Sequence, residues 1–94
     1  MFGQDALDAL DDMLIAKQIR AARALLGWSQ SDLSQAANVG IATIKRIEKQ
    51  EDSIRANTDT LRRIEIALVA SGIEFVDDDG QYGPRVRFRH PRDS

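Results

Sequence analysis

Little in this chain is equipped for covalent chemistry. Cysteine is absent and His90 is the only histidine, so thiolate attack, disulfides and a nitrogen-ligated metal site lack their donors. Asp77, Asp78 and Asp79 are the densest carboxylate run, but the ligand spacing of a calcium loop is missing and a solvated turn accounts for them. Neither enzymatic activity nor a metal or cofactor is expected. The side chains that remain are hydrogen-bonding and cationic: Ser29, Gln30, Thr43, Lys45, Arg46, Lys49 and Arg55. Ser29 and Gln30, at a helix N-terminus, suit phosphate oxygens, as does Lys49. Arg55, in the loop beyond, suits a nucleic-acid backbone or a narrow minor groove.

Two short helices joined by a tight turn must carry these groups. Ser29 caps the first, with Asp32 answering three residues on, and Leu33, Ala36 and Ala37 give it a small apolar stripe. Asn38-Val39-Gly40 breaks the pattern, with Val39 plugging into the core between the helices. In the second helix Ile44 and Ile47 face inward, leaving Ile41, Ala42, Thr43, Lys45, Arg46 and Lys49 largely exposed. A short basic helix displayed this way fits a DNA major groove.

The run from Gln18 to Lys49 resembles the Cro/C1-type helix-turn-helix regulators, the XRE family. Gln30 and Leu33 open one helix, Asn38-Val39-Gly40 makes the turn, and Ile44, Ile47 and Glu48 follow at matching spacings. The resemblance covers roughly residues 17 to 71. Two positions depart from the family: Gly40 stands where Ser or Thr often caps the recognition helix, and Ser34 where Ala is common. The resemblance implies a mainly α, lambda-repressor-like bundle of about four helices. It also implies base contacts from Ile41, Ala42 and Arg46, with Thr43 and Lys45 adjacent. Ile41 and Ala42 would pack on thymine methyls, and Arg46 would fork onto guanine O6 and N7. An ion pair between Arg23 and Glu48, fixing the presentation of the recognition helix, is implied as well.

The remainder reads as support. A single domain is expected over 1–94: an N-terminal extension (1–12), the helix-turn-helix bundle (13–72), a hairpin (73–90) and a tail (91–94). From about Leu7 to Leu26 the chain is an amphipathic helix, with Ile15, Ile19, Ala22 and Leu26 on one face, Lys17, Arg20 and Arg23 away from it, and Gly27 ending it. Leu7, Leu10 and Leu14 are either core or a surface for a second subunit. Trp28 is expected to close the core edge. Asn57 or Thr58 caps a further helix to Ser71 with Leu61, Ile64, Ala67 and Leu68 inward. Ile66 and Val69 are left over for hairpin packing or a dimer seam. The period then changes to that of a β-hairpin, Ile73–Val76 and Arg85–Arg89, with Val86 and Phe88 on one face and Arg85, Arg87 and Arg89 on the other. Those arginines suit a guard against aggregation, a pairing edge or an extra phosphate contact.

The net charge of −2 hides a strong asymmetry: residues 17 to 63 hold nine basic and five acidic side chains, while the segments on either side are acidic. Phosphates respond to the local field, within roughly 8 to 10 Å. No run is long enough for a membrane span, and the acidic N-terminus is unlike a signal peptide, so a cytoplasmic location without membrane contact is expected. One recognition helix reads few base pairs, so a homodimer on an inverted repeat of double-stranded DNA is expected. The functions to weigh are a transcriptional regulator, as repressor or as activator touching RNA polymerase through Asp32, and an antitoxin that holds a toxin and its own promoter.

Overall fold

The computed structural model describes residues 16–50 and 56–90. Four α-helices and an antiparallel hairpin are seen among them: α1 (Ala16–Leu26), α2 (Gln30–Ala37), α3 (Ile41–Glu48), α4 (Thr58–Ala70), β1 (Ile73–Val76) and β2 (Arg85–Phe88). The mainly helical bundle with a terminal hairpin is therefore the fold that the sequence pattern implies. The expected start of the first helix, Leu7, Leu10, Leu14 and Ile15 with it, lies outside the described residues, as do the proposed extension and tail.

Local signals set most of the boundaries. The Ser29 hydroxyl accepts from the Asp32 amide at 3.0 Å and the Asp32 carboxylate accepts from the Ser29 amide at 2.9 Å, so the two orphan donors of the α2 start are satisfied reciprocally. Asn57 caps α4 through the Thr60 amide at 2.7 Å. Gly27 ends α1 at φ +70, a conformation that costs glycine nothing and a residue with Cβ something. The fourth helix stops at Ala70, with Ser71 as its cap, one residue before the expected end.

One apolar stripe from each helix meets at the centre. Ile19, Leu33, Ile44, Ile47, Ile64, Leu68 and Ile73 are fully buried, with Val39 plugged between α2 and α3 as the pattern requires. Trp28 and Leu26 close one edge of this core, and Phe75, Val86 and Phe88 lay the inner face of the hairpin on another. Ala36 departs from the expected stripe of α2: Leu33 and Ala37, four residues apart, bury the narrow face, and Ala36 is left exposed. Ile66 is 60% exposed and takes no part in the hairpin packing.

The hairpin pairs Ile73 with Phe88 and Val76 with Arg85, and the buried Gln18 amide donates to the Arg85 carbonyl at 3.2 Å, tying α1 to β2. Its arginines are engaged within the fold. Arg87 pairs with Glu74 across the strands, Arg85 with Asp79, and Arg89 donates to the Val69 carbonyl. Among the described residues no helix is long and apolar enough to cross a membrane.

Candidate nucleic-acid interface

The interface is built on α3, and seven of its eight residues are either buried or exposed. Ile44, Ile47 and Glu48 are buried, while Ile41, Ala42, Lys45 and Arg46 are exposed, with Lys49 exposed just beyond. Thr43 differs from expectation and is half-buried, because it stands one turn before Ile47 and flanks the core stripe. The outward face therefore carries an apolar first turn followed by two cations. Arg55 lies outside the described residues.

The turn that launches α3 is held by side chains from two other helices. Asn38 takes a left-handed conformation, φ 56, which asparagine tolerates better than most residues. Its carbonyl accepts from Arg63 of α4 at 3.3 Å, and the next carbonyl, of Val39, accepts from the Ser34 hydroxyl at 2.6 Å. Gly40 supplies no side-chain cap to α3. Ser34, a departure from the resembled pattern, thus acquires a structural use that the sequence did not disclose.

At the other end, Glu48 is a hub. Arg23 grips its carboxylate with two parallel bonds of 2.8 Å, from Nε to Oε2 and from Nη2 to Oε1. The fork geometry adds direction to the attraction. The Glu48 side chain is only 3% exposed and that of Arg23 17%, so the pair is largely removed from water. Hydrogen bonding by Glu48 raises the Arg23 pKa above its ordinary value, against the opposing effect of burial. A third guanidinium nitrogen, Nη1, donates to the Trp28 carbonyl at 3.0 Å and so fixes the α1–α2 link.

Two contacts at this hub were not legible in the spacing. Gln30 donates from Nε2 to the Glu48 carboxylate at 3.1 Å, so one of its amide hydrogens is turned inward. The second hydrogen of that amide is what remains for a phosphate. Arg20, expected to point away with Lys17, instead donates to the main-chain carbonyl of Glu48. Both contacts need α1, α2 and α3 brought together, and no local periodicity reports that. Asp32 is engaged in its cap, and Asp78 and Asp79 accept backbone amides of their own turn. Among the described residues no cluster of acidic and histidine side chains is arranged to hold a metal.

A short helix seated by its inward face against a bracing helix, with an exposed cationic face outward, is the DNA-reading arrangement of a helix-turn-helix protein. Residues 19–68 match the family model described as helix-turn-helix. The chain belongs to that family, the Cro/C1-type or XRE DNA-binding regulators. No curated protein matches it.

Proposed function

We propose that the protein is a sequence-specific transcriptional regulator that binds an inverted-repeat operator as a homodimer, with α3 in the major groove. The observation that carries this reading is the separation on α3 between a buried anchor, Ile44, Ile47 and Glu48, and an exposed face, Ile41, Ala42, Lys45 and Arg46. Apolar contact from Ile41 and Ala42 recognises thymine methyls, and Arg46 forks onto a guanine edge, with Lys45 and Thr43 beside it. Ser29, Gln30, Lys49 and Arg55 take phosphate oxygens and set the register. A single α3 spans too few base pairs for useful selectivity, and half-sites one helical turn apart, roughly 34 Å, supply the rest through twofold symmetry.

The test is fluorescence anisotropy of the purified protein against DNA from upstream of its own coding region and against a scrambled duplex, across a salt series. Specific binding with two chains per duplex supports the reading, and the slope of log affinity on log salt, about −0.9 per neutralised phosphate, counts the backbone contacts. Equal and weak binding to both duplexes overturns the stand-alone regulator and favours one that needs a protein partner, such as an antitoxin with its toxin. Arg46→Ala is expected to lose roughly 1 to 3 kcal/mol of discrimination at one base position, read by comparing single-base variants of the bound duplex.

A further inference from the structure

The carboxylate of Glu48 is satisfied by Arg23 and Gln30. The contact from Arg20 to its main-chain carbonyl serves a different end. The last carbonyls of a helix have no partner inside it, and a guanidinium placed on one is favoured by both hydrogen bonding and the helix dipole. Arg20 and Arg23 stand three residues apart, one turn along the same face of α1. Together they hold one residue of α3 twice, by side chain and by backbone.

That second hold matters because of where α3 is anchored. A helix of eight residues does not fix its own direction. Its buried anchors begin only at Ile44, and its first turn starts at Gly40 with no side-chain cap. Ile44 and Ile47 seat the helix by apolar contact, and Ser34 and Arg63 hold the carbonyls of the turn before it, but at its C-terminal end a grip on the Glu48 side chain alone leaves that side chain's torsions free. A tilt of about 10° at Glu48 carries the Ile41 end, roughly 10 Å away along the axis, through nearly 2 Å. Hydrogen bonds to base edges tolerate only about 0.5 Å in distance. A bond to the backbone itself removes this freedom.

We infer that Arg20 is a positioning residue for sequence discrimination, acting through the tilt of α3 and not by touching DNA. The inference rests on α3 being the base-reading helix, as proposed above. Arg20→Met removes the donor and keeps the aliphatic stem, and Arg20→Lys restores a cationic donor. The probe is a duplex enriched from a randomised library by the wild-type protein, with its scrambled counterpart as reference. Arg20→Met is expected to weaken binding to the enriched duplex roughly tenfold, leave the scrambled duplex unaffected and leave the salt slope unchanged, with Arg20→Lys recovering most of the loss. In the free protein, the carbonyl carbon resonance of Glu48 is expected to shift in Arg20→Met and to return in Arg20→Lys. Equal weakening on both duplexes with a slope shallower by about 0.9 makes Arg20 a phosphate contact and overturns the inference. Unchanged discrimination overturns it too. A wild type that enriches no sequence overturns the functional reading instead, and the inference falls with it.

Discussion

At the scale of single residues, the Arg23–Glu48 pair is the most consequential. Removing two charges from water is costly and offsets the attraction within the pair, but removing one partner strands the other. Arg23→Met is expected to destabilise the fold by roughly 3 to 5 kcal/mol, measured by thermal or urea denaturation, because the Glu48 carboxylate then stays buried with only Gln30 beside it. An unchanged melting temperature and unchanged DNA affinity would show the pair to be incidental. Asp79 makes a different kind of prediction. The backbone amides of Tyr82 and Gln81, with help from Arg85, lower its pKa from 3.8 to about 2. A depressed carboxylate stabilises above its unfolded pKa and loses that contribution as pH falls through the folded one. The turn joining the strands is therefore expected to loosen between about pH 4 and pH 2, with the Asp79 carboxyl resonance titrating near the lower value. A midpoint near 4 would mean that the turn does not hold its carboxylate in solution.

At the scale of elements, the joints carry more information than the helices they join. The α2–α3 turn depends on Ser34 and Arg63 for its two carbonyls. Ser34→Ala leaves the Val39 carbonyl without that donor and is expected to cost about 1 kcal/mol in denaturation. The α4–β1 joint turns at Gly72, whose φ of +105 a side chain rarely adopts and whose carbonyl accepts from Arg89. Gly72→Ala is expected to cost roughly 1 to 2 kcal/mol and to raise amide exchange at Arg89. An exchange rate at Arg89 equal to that of the wild type would show that the hairpin forms independently of this joint. Caps and stripes were legible because Ser29, Asp32 and Asn57 act within one turn of the chain, and because Ile44, Ile47, Leu61 and Ile64 repeat with the helical period. Gln18, Arg20 and Arg63 were not, because each bonds across the bundle to a carbonyl, and Ser34 was not, because its bond to the Val39 carbonyl forms only once the turn has closed; every residue type offers a carbonyl. Gln30 fell between: its position at the start of α2 was evident, but not that its amide faces Glu48.

At the scale of the molecule, electrostatics is a matter of placement. The chain has a net charge of −2 and a pI near 5.3, yet its basic groups concentrate in the segment that includes α3. The hairpin arginines add little to that field, since Arg85 and Arg87 are matched by Asp79 and Glu74. Within the chain their part is to brace the hairpin. DNA affinity is expected to fall steeply with salt in spite of the acidic total, because counterion release depends on the phosphates met locally. A flat salt dependence would place the binding energy elsewhere.

The distribution of anchors along α3 has a consequence for how this protein can change. Its stability is invested in Ile44, Ile47 and Glu48, and its outward surface in Ile41, Ala42 and Lys45, so fold and address are written in different letters of one short word. On the proposed reading, new target sequences are reachable by rewriting the exposed letters while the bundle keeps the same core, which would make α3 an interchangeable reading head.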